Sequence, residues 1–418
     1  MIQKPRGTED LYAKKAAAFL ALQIIIQNHM YLYNFEKIET PIFEFKELFS
    51  MSVGENTDIV NKEMFIFNDK KGREFVLRPE ATAATARAVI EHKLYVQENL
   101  PLKLFYYGPM FRYERPQAGR QRQFTQFGIE VFGAKDINLD AEVVILATSL
   151  LETLGLKKYE VHLNYLVSGH DKEKYLVKLN KYLKDLSLCD DCQIRIKKNP
   201  LRILDCKIDN IKFENAPKML DFLSNVELAY YDQLKKILTK LGIKIVQNDL
   251  LVRGLDYYTG YVFEIISTDE KTAAQSTLFG GGRYDKLVNN IGGVNLPAVG
   301  FGMGVERLLI ALDNAKIDIV NEKQLDVYYV ALSEKARFFG NSILLMMRSS
   351  NITCDMDYLN KSFKSQLKLA ERNKAKFIII VGDKELQKNK VILKNQQTRE
   401  ELELEFDQII SYLKEEYV

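Results

Sequence analysis

Residues 104–132, LFYYGPMFRYERPQAGRQRQFTQFGIEVF, hold the reading on which the rest of the chain depends. Two strand-like runs flank a short turn carrying Pro116 and Gly119, the pattern of a β-hairpin. Strand side chains alternate, so Thr125, Phe127, Ile129 and Val131 share one face, apolar enough to pack on a core. The other face presents Gln126, Gly128 and Glu130, two polar groups around a glycine that leaves room for a ligand. The first run puts Arg112 and Glu114 on one face, opposite Phe111 and Tyr113, and the turn adds Arg115, Arg120 and Arg122. A charged hairpin tip is usually just solvated. Polar groups along one strand face, joined by three arginines in one tip, instead predict a functional site.

This hairpin resembles the second signature motif of class II aminoacyl-tRNA synthetases. The resemblance implies that Arg112 holds the α-phosphate of ATP and the amino-acid carboxylate, and that Arg120 reaches the γ-phosphate. It also implies that Phe124 stacks on adenine and that Glu114 belongs to the ATP site. The chemistry suits these roles, because arginine's planar fork grips phosphate bidentately and stays charged at any working pH. From their place in the tip, Gln117 and Arg122 are expected to meet the acceptor end of tRNA.

The length of 418 residues predicts two or three domains. A composition 47% hydrophobic and 28% charged is that of a soluble globular protein with a sizeable core. The net charge of +3 is too small to argue for nucleic acid, so any basic surface must be local. The N-terminal MIQKPRGTEDLY has no apolar h-region, and no apolar run approaches the roughly 18 residues that span a bilayer. A cytoplasmic protein with no membrane partner is expected. Cys189 and Cys192 form a CxxC, which invites a zinc reading. No second CxxC or HxxxH pair follows, and His29, His92, His162 and His170 lack metal spacing. No metal ligands are therefore expected, and these thiols, with Cys206 and Cys354, are read as reduced and incidental.

Upstream, Pro5-Arg6-Gly7-Thr8 precedes an apolar-periodic run, Leu11 to Tyr33, read as a helix with Phe19, Leu22, Ile26 and Met30 on its core face. Asn34 to Phe45 reads as a strand interrupted by Pro41, hence an edge or a sheet end. Beside the hairpin it resembles the first class II motif, which implies that the proline lies at a dimer interface. Glu74 to Arg78 reads as a strand running into Pro79-Glu80-Ala81-Thr82 and an alanine-rich helix. Glu80 and Thr82 can simply complement that helix N-terminus. The family carries RPEGT or a close variant here, with Ala81 the one departure, which implies that Glu80 and Thr82 hold the α-amino group of the amino acid and that Ala81 belongs to the histidine site.

From about Tyr165 to Ile245 the chain turns lysine- and leucine-rich with helical periodicity, and Arg195, Lys197, Lys198, Arg202 and Lys207 cluster. A charge run is usually a solvated face. Read as an inserted module, this one would touch a tRNA stem through phosphates. Then comes LVRGLDYYTGYVFEI, 251–265, whose RGLDYY box resembles that of histidyl-tRNA synthetases. The resemblance implies that Arg253 assists at the α-phosphate and that Tyr258, beside Tyr257, hydrogen-bonds the imidazole of histidine.

The glycines of Gly280-Gly281-Gly282-Arg283-Tyr284-Asp285 and Gly300-Phe301-Gly302-Met303-Gly304 do not make a dinucleotide fingerprint, which would need glycine at Arg307. No Gly-Lys-Ser/Thr of a Walker A loop occurs, and the class I signatures HIGH and KMSKS are absent. Small residues closing onto a helix N-terminus make a phosphate platform. The segment resembles the third class II motif, implying that Arg307 clamps the γ-phosphate. After a linker near Asp313 to Gln324, an alternation of strands and helices predicts a separate α/β unit. Its helix Ser362 to Asn373 carries Lys361, Lys364, Lys368 and Arg372 on one stripe, with Phe363, Leu367 and Ala370 behind. The unit resembles an anticodon-binding domain, whose basic stripe would meet RNA backbone.

The resemblance implies an α+β fold: a catalytic domain built on an antiparallel sheet (1–164 and 246–320), a helical insertion (165–245) and an α/β anticodon-binding domain (325–418). It implies a homodimeric ligase that takes ATP with Mg²⁺, L-histidine and the matching tRNA, with Arg112 and Arg253 as catalytic groups. Gln126 with Glu80 and Thr82 is expected at the ammonium, and Glu130 with Tyr258 at the two ring nitrogens. A regulatory paralogue that binds histidine only as an effector usually lacks the arginines that clamp ATP, and here all are present.

Overall fold

The central hairpin pairs from Leu102↔Phe132 to Phe111↔Gln123 in a computed structural model that describes residues 1–54, 57–96, 100–269, 271, 276–320 and 324–415. The chain divides into two compact units, Met1–Val320 and Asn321–Val418. In chain order the first unit's strands are β1 (Glu36–Lys37), β2 (Phe43–Phe45), β3 (Phe65–Asn68), β4 (Glu74–Leu77), β5 (Leu102–Phe111) and β6 (Gln123–Phe132). Then follow β7 (Tyr159–Leu166), β8 (Ile245–Gln247), β9 (Gly260–Ser267), β10 (Thr277–Arg283) and β11 (Ala298–Gly304). An eight-stranded sheet runs β1-β5-β6-β11-β10-β9-β7-β8. It is antiparallel from β5 through β7, and only the short β1 and β8 at its two edges lie parallel to their neighbours.

Alternation along β6 decides what the sheet carries on each side. Phe127, Ile129 and Val131 are fully buried in a core shared with Phe19, Leu22, Ile26 and Met30 of the helix Ala13–Leu32. The helix Ile137–Thr153 adds Val143, Val144 and Leu146 to the same core. Gln126, Gly128 and Glu130 are thereby left for the opposite face.

Pro41 breaks the upstream strand as its missing N–H requires. β1 stays on the large sheet, while β2 joins a small sheet ordered β2-β4-β3. Arg78, buried at the end of β4, spans the break by donating from Nη1 to the Thr40 carbonyl at 2.6 Å.

Between Leu166 and Val262 a second core gathers Tyr175, Leu179, Cys192, Ile203, Phe213 and Met219. The helix Asn225–Lys240 lies outside it: Tyr231, Leu234 and Leu238 join the main core instead. The cysteines depart from expectation. Cys189, Cys192 and Cys206 converge with Asp209, their ligand atoms all within 4.8 Å of one another. Sequence spacing could not show this, because a buried turn between Cys192 and Cys206 closes the group.

In the second unit, β12 (Val327–Ala331), β13 (Cys354–Met356), β14 (Phe377–Val381), β15 (Lys390–Asn395) and β16 (Glu401–Glu405) form a sheet ordered β13-β12-β14-β15-β16. Its first three strands are parallel, the α/β alternation expected, and the hairpin β15–β16 extends it. The basic helix is Phe363–Arg372, with Lys361 just before it. Gln366 and Ala370 are its buried residues, and Phe363, expected behind the stripe, is exposed. Gln366 takes the inner place because its amide both donates to and accepts from Ala331 at 3.0 Å. Of the linker read at 313–324, residues 321–323 lie outside the described residues.

Candidate active site

The strand leading to Arg112 stops at Phe111, so alternation does not place Arg112 and Glu114, contrary to expectation. The backbone leaves the ladder, and a Gln117–Arg120 bridge closes the tip. Arg112 is fixed instead by its Nε, which donates to the Pro79 carbonyl at 2.9 Å, and by the Phe124 ring, 5.4 Å from its guanidinium carbon. Arg120 pairs with Glu114 at 2.5 Å. Arg307, in the first turn of the helix Val305–Asn314 that follows β11, donates to the carbonyls of Gly119 and Thr277 at 3.2 and 3.3 Å. Arg253, just ahead of β9, is held by Glu264 and stacks near the Tyr258 ring at 5.9 Å.

These four arginines line one cavity of about 150 Å³. Burial first, then the charges of Arg120 and Arg112, lower the pKa of Arg307. Burial is the largest influence on Arg253 and opposes its charge, but Glu264 together with Tyr258 and Tyr257 outweighs it and raises that pKa, so Arg253 stays a cation. Like charges turned on one another across a small cleft repel unless an anion lies between them.

A second cavity, about 130 Å³, shares Arg112, Gln126, Arg253, Gly280 and Gly302 with the first. Glu130 lies buried at its floor, accepting from Thr82 Oγ1 at 2.7 Å and from the Tyr284 hydroxyl. Burial pushes its carboxyl up to about 8 against the bonds from Tyr284 and Thr82. Tyr257, Tyr258 and Tyr284 form one aromatic wall, with Tyr257 4.7 Å from Tyr258 and 5.3 Å from Tyr284 between ring centres. The Gln126 carbonyl oxygen and Arg253 Nε, both buried here, have no hydrogen-bond partner. Buried polar atoms are rarely left so unless something outside the chain completes them.

Glu80 takes the helix-end role that its place before the helix offered. Its carboxylate accepts from the backbone N–H groups of Thr82 and Ala83 at 2.6 and 2.9 Å, capping the helix Thr82–Glu91. It still lines the second cavity, as does Thr82, whereas Ala81 is buried beside Tyr106 and Met110.

The glycines make the cavities. A Cβ on Gly280 would overlap the Arg253 guanidinium, one on Gly300 the Tyr284 hydroxyl, and one on Gly302 would reach Gln126 Nε2 at 2.5 Å. Gly280 and Gly302 face each other across β10 and β11, with Gly128 next to Gly302 on β6. The result is a floor of bare backbone under the polar side chains.

Two site residues escaped the sequence reading. Tyr284 follows the glycine triplet, and its aromatic neighbours signal nothing until β10 ends against Glu130. Glu264 lies on β9 opposite Gly280, and only the strand register brings it to Arg253. Other residues separate from the site. Arg122 stacks on Tyr113 at 4.0 Å and its backbone N–H donates to Gly7, while Gln117 is exposed at the tip. Arg195 and Arg202 both turn to Asp58, at 3.4 and 3.3 Å. Lys364 and Lys368 are exposed and Lys361 half-buried, in the other unit.

A family model described as histidyl-tRNA synthetase matches residues 7–167 and 198–308, and an anticodon binding domain model matches 326–416. The histidine–tRNA ligase of Mycoplasma mycoides is 44% identical over 99% of this chain and 100% of its own. That of Bacillus subtilis is 45% identical over 98% of each. The solved structure of apo S. aureus histidyl-tRNA synthetase superposes with a TM-score of 0.85 at 37% identity, covering 99% of this chain and 100% of that one.

Proposed function

The chain belongs to the histidyl-tRNA synthetase family, and from that premise we propose how its own residues perform the family's reaction. It activates L-histidine with ATP to histidyl-adenylate and transfers histidine to the 3′ end of its tRNA. In the first step the histidine carboxylate attacks the α-phosphorus and pyrophosphate departs. Arg112 and Arg253 border both cavities, and there they stabilise the charge that builds at the α-phosphate. Arg120 and Arg307, which line the first cavity and not the second, hold the departing pyrophosphate. Catalysis of this kind is electrostatic preorganisation rather than proton transfer.

Phe124, with Arg112 over it, offers a ring face to adenine. Mg²⁺ accompanies ATP. The donor set fits, because Glu114 lines the phosphate cavity and Mg²⁺ takes carboxylate together with phosphate oxygens. For the second step the adenylate phosphate itself is the group that takes the proton of the attacking ribose hydroxyl.

Histidine is selected by pairing. Glu130 takes one ring nitrogen and Tyr258 the other, against the wall of Tyr257, while Gln126, Thr82 and Glu80 hold the ammonium. An amino acid without those nitrogens would leave buried polar groups unpaired, a penalty of roughly 10⁴-fold or more. The observation that carries this reading is the single cleft lined by four guanidinium groups and continuous with a polar pocket.

ATP–pyrophosphate exchange, assayed with each amino acid singly, tests it. Exchange with histidine alone is expected. Arg253→Ala should depress exchange more than histidine binding, and equal losses in both would make Arg253 a structural residue.

The chain works as a homodimer in this reading. Phe43, Phe45, Ile66 and Phe67 are exposed on the small sheet beside Pro41, and the three phenylalanine rings each meet Phe75 at 4.7–5.9 Å. An exposed apolar patch of this kind marks an association surface. The tRNA acceptor end approaches Gln117 and Arg122, and the anticodon stem meets Lys361, Lys364 and Lys368. The enzyme works in the cytoplasm, alongside its tRNA and ATP.

A further inference from the structure

We propose that Cys189, Cys192, Cys206 and Asp209 bind one structural zinc ion that fastens the insertion beside the catalytic box. The four ligand atoms lie within 4.8 Å of one another. Tetrahedral zinc, with Zn–S near 2.3 Å, sets its sulfurs about 3.8 Å apart. Cys189 Sγ and Cys206 Sγ are 3.8 Å apart, and Cys206 Sγ lies 4.0 Å from Asp209 Oδ2.

Backbone and neighbours already hold the donors in place. Cys189 is the N-cap of the helix Asp190–Lys198, and Cys192 sits within its first turn. Cys206 and Asp209 repeat the same two-residue spacing directly after the turn that the Cys206 N–H closes onto the Ile203 carbonyl at 2.9 Å. The Asp209 N–H donates to Cys206 Sγ at 3.3 Å, the bond that an outer partner makes to a ligating thiolate. Asp209 itself is 1% exposed and takes the Cys189 N–H at 2.9 Å and Lys212 Nζ at 2.7 Å. Three thiolates and a carboxylate exceed the ion's charge by two, and Lys212 offsets part of that excess. Thiolate donors favour zinc over Mg²⁺ or Ca²⁺, and four protein ligands make a closed, structural site.

The ion would tie the start of the helix to the segment after it, which faces the active site. Asn199 Nδ2 donates to Asp256 Oδ1 at 2.7 Å, and Arg202 Nη1 lies 3.1 Å from where a Cβ on Gly254 would stand. Asp256 and Gly254 belong to the box that carries Arg253.

Untagged full-length protein, purified reduced and without chelators, should carry about one zinc per chain by plasma mass spectrometry. Cobalt exchanged into it should show the strong visible bands of a tetrahedral ion and thiolate charge transfer. Cys206→Ser should lose the metal, Asp209→Asn should bind it about tenfold or more weakly, and Cys354→Ser should keep it. A zinc-equilibrated wild-type chain that stays metal-free with all four thiols titratable would overturn the proposal. So would a Cys189–Cys206 disulfide in freshly isolated protein, or metal retained by Cys206→Ser. If Cys206→Ser does not fold, the wild-type metal count and cobalt spectrum decide alone.

Discussion

Gly280→Ala adds one methyl group, and the structure says what it displaces. The new Cβ would overlap Cζ and both terminal nitrogens of Arg253. Gly280 lies outside the left-handed region, so its backbone accepts alanine without strain. Something must still move, and the movable part is the end of Arg253, now held by Glu264 and Tyr258. The perturbation thus reaches the charge that the proposed mechanism sets at the α-phosphate, and it leaves the sheet intact. Removing one preorganised group of this kind lowers kcat by about 10²–10³, equivalent to roughly 3–4 kcal/mol. Displacing it should fall near the lower end, about 10²-fold.

The assay is ATP–pyrophosphate exchange at saturating histidine, with the melting temperature as a control for folding. Because the methyl acts only through Arg253, adding it to Arg253→Ala should cost almost nothing more. Near-normal exchange in Gly280→Ala would refute the reasoning, as would losses that simply add in the double variant.

Glu130 carries a pH signature. Its carboxyl is pushed up to about 8, so the folded chain keeps a proton that the unfolded chain releases near the ordinary 4.5. Stability should therefore fall as pH rises from 4.5 through about 8, and Glu130→Gln should flatten that slope in urea denaturation series. Glu130→Ala should raise the KM for histidine sharply, and an unchanged value would remove Glu130 from the pocket. Replacing Lys364 and Lys368 by alanine should weaken tRNA charging and lower its salt slope by about 1 per contact, with histidine-dependent exchange unchanged. In the proposed homodimer, Phe67→Asp should shift sedimentation velocity from dimer to monomer, and an undisturbed dimer would move the interface elsewhere.

Local pattern carried the hairpin. Alternation along Gln123–Phe132 told the core face from the polar face, because a one-residue shift would have buried Gln126 and Glu130 against Phe19 and Leu22. It failed where the strand ended early. Arg112 is set by the Pro79 carbonyl, a contact between segments distant in sequence, and no period encodes it. Glu80 was legible as a helix-end group, since an acidic residue just ahead of an alanine-rich helix meets its free N–H groups, and it lines the pocket as well. Tyr284 and Glu264 were invisible for one reason, since each meets its partner only where separate segments of the chain come together. The cysteine cluster failed on spacing. Cys206 and Asp209 join the CxxC only in space, so a search by sequence spacing does not gather the four.

The fold alone does not make the enzyme. A Bacillus halodurans structure titled an ATP phosphoribosyltransferase regulatory subunit/histidyl-tRNA synthetase superposes with a TM-score of 0.66 at 22% identity, so the scaffold extends well beyond close relatives. The site sets on that scaffold a cluster that its own charges oppose: Arg307 is held below its ordinary pKa by burial and by two neighbouring arginines. A protein selected for stability alone would relieve that repulsion. Keeping it is intelligible if the triphosphate is the missing counter-charge, because the same repulsion then becomes attraction for a charge that grows as the reaction proceeds. The bare glycine floor serves the same end, since any side chain on Gly280 or Gly302 would push Arg253 or Gln126 off the line they share.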